Sequence, residues 1–235
     1  VDEAEGHVAG ITDNPKGSLY VAAPLGVGRR LIAPNVPAFA AEYPLIDIRL
    51  RLTDRKVDLT TEGLDISFFL GEPEDSNLRI KQIANCERVL VASPVYVAKR
   101  GNPADGDALI ADNHNCLNLR YPGAPEFQWR LQLPDGPKRF RVAGRYECDD
   151  GDVLTDWALT GEGIALKPVF EVAEHLNAGT LVRVAQKTPP VPVQMACLYT
   201  HRRRQDPKTR LFMEFMTEQI GAAVHAGQSS VTTLA

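Results

Sequence analysis

The chain has 235 residues, of which 44% are hydrophobic and 24% charged, and its formal net charge is −4. This composition is ordinary for a globular protein, and the length is sufficient for one large domain or two small ones with a buried core. A surface that grips nucleic acid along its length is normally basic, so the charge argues against DNA or RNA binding by this stretch itself.

The first elements predicted are a linker, a strand and a helix. Residues 1–15 are mostly polar and end in a turn signal, which predicts the end of a helix running into a linker. A strand follows over 17–23, then the glycine loop "PLGVG". A helix over about 29–43 is indicated by apolar residues at helical spacing, and Pro34 and Pro37 within it predict irregular first turns.

Two more strands are predicted in the next thirty residues or so. Residues 48–52 alternate between apolar and charged, and residues 66–70 form an apolar run, with a short helix between them. The order strand, helix, strand, short helix, strand predicts right-handed crossovers and a largely parallel sheet. A further strand covers 87–93, and Pro94 is a good first-turn residue for the helix after it.

The second half is predicted to alternate again between strands and helices. In chain order we expect strands at 115–119, 127–133 and 138–148, a helix at 149–163, the strand "IAL", the helix "KPVFEVAEHLNAG", the strand "LVRVA", a long strand at 191–200, an amphipathic helix and a disordered tail at 225–235. The pattern predicts a two-lobed α/β protein, with the chain crossing between lobes near 90–94 and again near 192–199.

Residue patterns typical of catalysis or metal binding are weak. The five histidines are dispersed, and there is no metalloprotease motif, nucleophile elbow or phosphate-binding loop. "PLGVGRR" lacks the third glycine of a dinucleotide site, although its backbone amides suit a small anion as well as a purely structural loop. We therefore predict no catalytic residue, no metal and no cofactor.

Three charged clusters have simpler interpretations than chemistry. "DDGD" at 149–152 lacks calcium-loop spacing and is typical of a helix N-cap. Paired carboxylates could come from Asp47, Asp54, Asp58 and Asp65. The favoured interpretation puts Asp47 at a solvated strand end and the other three in turns. "HRRR" at 201–204 could hold a phosphate, although a solvated loop is the stronger interpretation.

The cysteines and apolar runs bear on location. Cys86, Cys116, Cys148 and Cys197 are widely spaced without a CxxC pair, which favours free thiols in a reducing cytoplasm. The chain shows no signal peptide, but a mature periplasmic protein would show none either. No run of apolar residues is long enough to span a bilayer. Since ligands bind outside the carboxyl ends of strands in open sheets, and in clefts between lobes, the pattern favours a small-molecule binding module.

An ordered series of segments resembles the effector-binding domain of LysR-type transcriptional regulators, and within that family its CrgA-like branch. The segments are "GSLYVAAPLGVGRRLIAPNVPAFAAEYPLIDIRLRLTDRKVDLTTEGLDISFFLG", "DSNL", "VLVASPVYVAKRGNP", "HNCLNLR", "DDGDVLTDWALTGEGIALKP", "GTLVRV" and "FMEFM". The resemblance covers about residues 16–220. It implies a type 2 periplasmic-binding-protein fold, in which two Rossmann-like subdomains are joined by two crossover strands around an effector cleft.

The resemblance also implies a division of the chain and its partners. Residues 1–15 would be the end of a linker helix, 16–92 with 198–224 the first subdomain, and 93–197 the second. A DNA-binding helix-turn-helix would precede this stretch. The implied partners are a small-molecule effector, a second copy of the chain in an antiparallel dimer, and DNA only through that missing domain, with a tetramer in the full-length protein and no membrane.

Carried over position by position, the resemblance implies two sets of site residues. The effector cleft would use Leu25, Gly26, Val27, Gly28, Thr53, Asp54, Phe69, Leu70, Gly71, Asn118, Asp150 and Gly151. The dimer interface would use Arg29, Ile32, Val36, Tyr43, Ile48, Arg49, Leu50 and Arg51, facing the partner's helix 152–160 with Leu154 and Trp157.

Two departures from the family pattern concern the effector. Relatives in this branch often carry an arginine where this chain has Phe69, and a polar residue in the loop that here reads Leu25-Gly26-Val27. Both changes remove polar groups, which predicts an aromatic or weakly polar effector rather than a charged diacid. The alternatives are a periplasmic solute-binding protein of the same fold and, with no convincing catalytic residues, an enzyme on a two-lobed fold.

Overall fold

The computed structural model describes residues 15–55, 57–71, 78–120, 127–200, 203 and 206–232. Its elements are β1 (Gly17–Ala23), α1 (Leu25–Val27), α2 (Val36–Glu42), β2 (Ile46–Leu52), β3 (Ile66–Gly71), β4 (Arg79–Cys86), β5 (Arg88–Ala92), α3 (Pro94–Arg100), α4 (Gly106–Ala111), β6 (Cys116–Leu119), β7 (Gln128–Leu133), β8 (Gly136–Arg141), β9 (Glu147–Cys148), α5 (Gly151–Leu159), β10 (Ile164–Pro168), α6 (Val169–Asn177), β11 (Val182–Arg183), β12 (Val193–Tyr199) and α7 (Pro207–Thr232). The linker predicted at 1–15 lies outside the described residues, except for Pro15.

The first lobe is built on a mixed sheet in the order β2-β1-β3-β12-β4. β1 runs parallel to β2 and β3, whereas β12 runs antiparallel to β3 and β4. Its core lies on one face of the sheet, beneath the helical stretch after β1 and beneath α7. The buried members include Leu19, Val21, Ile66, Phe39, Phe212, Met216 and Ile220.

The helical stretch between β1 and β2 is irregular, as Pro34 and Pro37 predict. A π-helical turn (Gly28–Ile32) and a 3-10 turn (Ala33–Asn35) separate α1 from α2. Prolines lack the N–H that a regular α-helix needs, so the backbone changes its hydrogen-bond spacing here.

The second lobe is built on a sheet in the order β11-β5-β10-β6-β9, accompanied by the hairpin β7–β8. β6 is parallel to β10 and β9, and β5 is antiparallel to β10 and β11. Cores lie on both faces: one holds Trp129, Leu131 and Ile164, the other Leu117, Leu154 and Val172. The two-lobed α/β fold predicted from the sequence is confirmed.

The boundaries between the lobes differ from the prediction. β5 belongs to the second sheet and all of β12 to the first. The chain therefore crosses at Glu87 and again between β11 and β12, so the boundaries at 92 and 197 are wrong. β4 was not predicted, and it precedes β5 with a break of only one residue. The parallel arrangement predicted for the first three strands is confirmed, because β1 runs parallel to β2 and β3. The antiparallel strand of this sheet is β12, which enters from the other lobe against the direction of β3.

Two local predictions are corrected. Residues 59–63 form turns instead of a short helix. The disordered tail is wrong for residues 225–232, because α7 continues through them and buries Val231. Residues 233–235 lie outside the described part. Within the described residues, the longest helix is too polar to span a bilayer.

Candidate ligand-binding cleft

Several predicted cleft residues meet at the carboxyl edge of the first sheet. The Thr53 N–H donates to the Ala23 carbonyl (2.9 Å), and the Leu25 N–H donates to Asp54 Oδ1 (3.0 Å). Ala22 of β1 pairs with Ser67 of β3, so the half-buried Phe69 lies just past the last residue of β1. Leu25, Thr53, Asp54 and Phe69 therefore share one edge, where parallel strands present ligand sites.

The facing edge of the second lobe begins at α5. Asp150 is the N-cap, as predicted, and its Oδ1 accepts from the Asp152 N–H (2.9 Å). Behind it, the buried Lys167 donates to the Gly151 carbonyl (2.7 Å) and pairs with Glu171 one helical turn further on. A buried charge is tolerated when it is paired and hydrogen-bonded in this way.

Two sets of contacts bring the lobes together. Arg29 Nη1 lies 3.2 Å from Asp150 Oδ2 and 2.8 Å from Asp152 Oδ2, and Arg30 Nη2 lies 2.6 Å from Asp152 Oδ1. We call these the interlobe ion pairs. A Cβ added to Gly26 would be 2.3 Å from Glu171 Oε1, so the backbone at Gly26 lies very close to the end of this side chain. The cleft is closed at this end.

The electrostatics of the closed edge are acidic. Burial raises the pKa of Asp54, and the carboxylates of Glu171, Asp150 and Asp149 raise it further against the Leu25 hydrogen bond. Burial also disfavours ionised Asp152, but hydrogen bonds from Arg30 and Arg29 prevail and hold its pKa below the usual value.

Some predicted cleft residues lie elsewhere. Val27 is buried in the first core, and a Cβ on Gly28 would be 2.1 Å from Leu52 Cδ2, so both positions face the interior of the first lobe. The predicted loop is helical, and a helix turns these positions inward. Leu70 packs on the same core, on the face of β3 opposite Phe69. Gly71 ends β3 with φ of 147°, a backbone conformation that suits glycine.

Asn118 is buried near the end of β6, away from Lys167. Leu117 pairs with Ala165, which puts Asn118 beside Leu166 and on the sheet face opposite Lys167. Its Oδ1 finds no hydrogen-bond partner among the described residues. The side chains of Asn118 and Lys167 therefore lie on different faces of the second sheet.

The predicted dimer residues divide by exposure. Ile32 and Leu154 are buried in the cores of their own lobes, so their assignment to a subunit interface is wrong. Arg29 engages the second lobe. The others remain accessible: Arg49 and Arg51 are exposed, and Val36, Tyr43, Ile48, Leu50 and Trp157 are half-buried. β2 is the edge strand of its sheet, and a concavity of about 480 Å³ runs along it.

Sequence reasoning missed Arg30, Asp152, Lys167 and Glu171. Lys167 and Glu171 have a visible signal, since they are an i,i+4 pair of opposite charge at the end of an apolar strand. Arg30 and Asp152 have none, because they are 122 positions apart.

The four cysteines are free thiols, and burial raises the pKa of Cys86, Cys116 and Cys197 to about 12. Groups of three or more potential metal ligands are absent from the described residues.

Comparison with known proteins decides the family. Residues 12–221 match the model of the LysR substrate binding domain. The chain belongs to this family. DmlR, a transcriptional regulator of Escherichia coli K12, is 32% identical over 204 residues, which cover 87% of this chain and 66% of DmlR.

Solved structures agree with this assignment. The regulatory domain of CrgA from Neisseria meningitidis aligns with a TM-score of 0.77 at 26% identity, covering 88% of this chain and 100% of that domain. Full-length AphB, a virulence activator of Vibrio cholerae, aligns with a TM-score of 0.75 at 29% identity, covering 87% and 69%.

The chain is thus the effector-binding domain of a LysR-type regulator, with the type 2 periplasmic-binding-protein fold that the resemblance implied. These comparisons support this function over solute transport, and the named relatives are regulators rather than enzymes. The chain spans just under two thirds of the length of DmlR.

Proposed function

We propose that this domain senses a small-molecule effector at the closed edge of the cleft and transmits its binding to a DNA-binding domain outside this chain. One observation carries the proposal: the lobes have separate cores but meet there through Gly26–Glu171 and the interlobe ion pairs. Ion pairs that solvent reaches are individually weak, so a ligand with a preference for one lobe angle can shift the equilibrium between angles.

The effector is aromatic or weakly polar. Phe69 supplies a half-buried ring at the edge, whereas Arg29, Arg30 and Lys167 are already paired with carboxylates. Burial raises the pKa of Asp54, and the neighbouring carboxylates that raise it further also repel added negative charge. A dicarboxylate would have to displace existing ion pairs, while an apolar ring gains from burial against Phe69.

The domain also forms a homodimer through the edge strand β2 and the helical stretch before it. The full-length protein forms a tetramer, and it acts in the cytoplasm without catalysing a reaction. The unpaired edge of β2, with exposed Arg49 and Arg51 and half-buried Ile48 and Leu50, supports this surface. Sedimentation of the Leu50→Asp variant should show a shift from dimer to monomer.

The test of the effector class is a thermal-shift screen followed by calorimetry. Benzoate, phenylacetate and benzyl alcohol are compared with succinate and malate, since a ligand that binds the folded state raises Tm. We expect the aromatic compounds to bind, and Phe69→Ala to weaken them about tenfold, equivalent to about 1.4 kcal/mol.

Tyr20→Ala is the matched control, because Tyr20 is an exposed ring on β1, away from its carboxyl end. It should leave affinity unchanged. Tight binding of the dicarboxylates alone, or equal effects of the two substitutions, would overturn the aromatic assignment.

A further inference from the structure

The terminal helix extends beyond the part of the chain that matches the family. The match ends at residue 221, whereas α7 continues to Thr232. Met216, Ile220 and Val224 pack in the core of the first lobe, and Val231, only 4% exposed, packs in a core of the second. One continuous helix thus contributes to both lobes. We call residues 225–232 the C-terminal strap.

The strap lies along α6 of the second lobe. A Cβ on Gly227 would be 3.5 Å from Phe170 Cα and 3.9 Å from Ala173 Cβ, which shows how closely the two helices approach. Asn177 Nδ2 donates to Ser230 Oγ (3.3 Å) at the far end of α6. These contacts fix the strap to the helix that carries Glu171.

The strap also binds the hinge. Gln228 Oε1 accepts from the Glu87 N–H (3.0 Å), and Glu87 is the single residue between β4 and β5, where the chain first changes lobes. The Glu87 carbonyl accepts from the Val169 N–H (2.9 Å) at the start of α6. Both backbone groups of this crossover residue are therefore held, one by the strap and one by α6.

We propose that the C-terminal strap fixes the angle between the lobes, and thereby holds α6 where Glu171 meets Gly26. A helix is stiff along its axis, so one that is packed into both cores resists their relative rotation. The strap is a conformational element of this chain that goes beyond the effector site, and its effect is present without effector.

The test compares Val231→Asp with Ala226→Asp in the 235-residue chain. Both place a carboxylate in the strap, but Val231 is buried and Ala226 is exposed. Hydrogen exchange read by mass spectrometry reports opening at Glu87 and in the helical stretch 25–31, which begins at the cleft edge. We expect Val231→Asp to accelerate exchange at both sites about tenfold, equivalent to about 1.4 kcal/mol, and Ala226→Asp to leave it unchanged.

Gln228→Met is the second variant, since it removes the acceptor of the Glu87 N–H while keeping the apolar contacts of the strap. We expect a smaller acceleration at the same two sites. If Val231→Asp does not fold, the exchange rates of Gln228→Met test the proposal.

The proposal is overturned if exchange becomes fast within 225–232 while Glu87 and residues 25–31 keep wild-type rates, or if Gln228→Met changes neither site. No effector is added in these measurements. The proposal for the strap can therefore be wrong while the domain still senses an effector, and effector sensing can be wrong while the strap still fixes the lobe angle.

Discussion

Two groups of ion pairs meet at the cleft, and they differ in burial. The Lys167–Glu171 pair lies within the second lobe, with side chains 3% and 9% exposed. The interlobe ion pairs join the two lobes, with the side chains of Arg29 and Arg30 44% and 31% exposed. The first group is shielded from solvent and salt, whereas the second is accessible to both.

This difference in burial keeps the second lobe rigid and allows the two lobes to move relative to each other. Breaking a buried pair leaves an uncompensated charge in the protein interior, which is expensive. Breaking exposed pairs returns their charges to water at little cost. The second lobe can therefore keep its shape while the cleft opens, which is what a sensor with two lobe angles requires.

The largest expected effect is at the buried pair. Glu171→Leu leaves Lys167 buried without its carboxylate, so we expect a loss of about 3–5 kcal/mol in the free energy of unfolding, measured in urea. The double variant Lys167→Met with Glu171→Leu should recover most of the loss. A cost below about 1 kcal/mol for Glu171→Leu would show that the pair matters no more than a surface one.

Gly28 and Gly26 can each be replaced by alanine, and the added Cβ meets a packed core at Gly28 and a charged side chain at Gly26. Gly28→Ala would force Leu52 out of a packed core, and we expect a cost of about 1–3 kcal/mol. Gly26→Ala meets the end of the flexible Glu171 side chain instead, so its cost should be smaller, with faster hydrogen exchange at residues 25–31. Urea denaturation measures the first effect, and equal costs would contradict the comparison.

A double-mutant cycle measures the interlobe ion pairs. For Arg30→Gln and Asp152→Asn we expect a coupling energy of up to about 1 kcal/mol. In 1 M NaCl the coupling should shrink, because screening acts on accessible charges. A coupling energy that does not change with salt would show that the Arg30–Asp152 pair is as shielded from solvent as Lys167–Glu171.

The smallest effect concerns pH. Because the folded-state pKa of Asp152 is lowered, its ionised form stabilises the fold above the unfolded-state pKa of about 3.9. That stability is lost as pH falls through the lowered folded-state pKa. The stability difference between wild type and Asp152→Asn should therefore be constant from pH 7 to 5 and shrink as the pH falls below about 3.9, as followed by urea denaturation.

Local features of the fold were predictable where their causes are local. Asp150 caps α5 because its side chain reaches the backbone two residues on, and the prolines disturb the first helix within a few residues of themselves. The tail prediction failed for the opposite reason. "HAGQSSVTTLA" is polar and weakly patterned by itself, and it is helical because Val231 and Gln228 find partners in α6, its neighbours and the hinge.

The candidate site shows the same division. That Thr53, Asp54 and Phe69 lie near one another was predictable, because strand ends meet at one edge of a parallel sheet. Val27 and Gly28 were misplaced because their loop is helical. Whether Ile32 and Leu154 face a partner or their own core depends on which side of each helix packs on its sheet.

The alternating strands, the helix caps and the family could be predicted from the residues alone, because periodicity, capping and ordered motifs depend on residues close together in the chain. The folded chain was needed to show which lobe holds β5 and β12, that Arg30 meets Asp152, and that the last helix packs on both lobes. These features join positions far apart in the chain, and their free energy comes from burial and charge pairing that exist only after the lobes have formed.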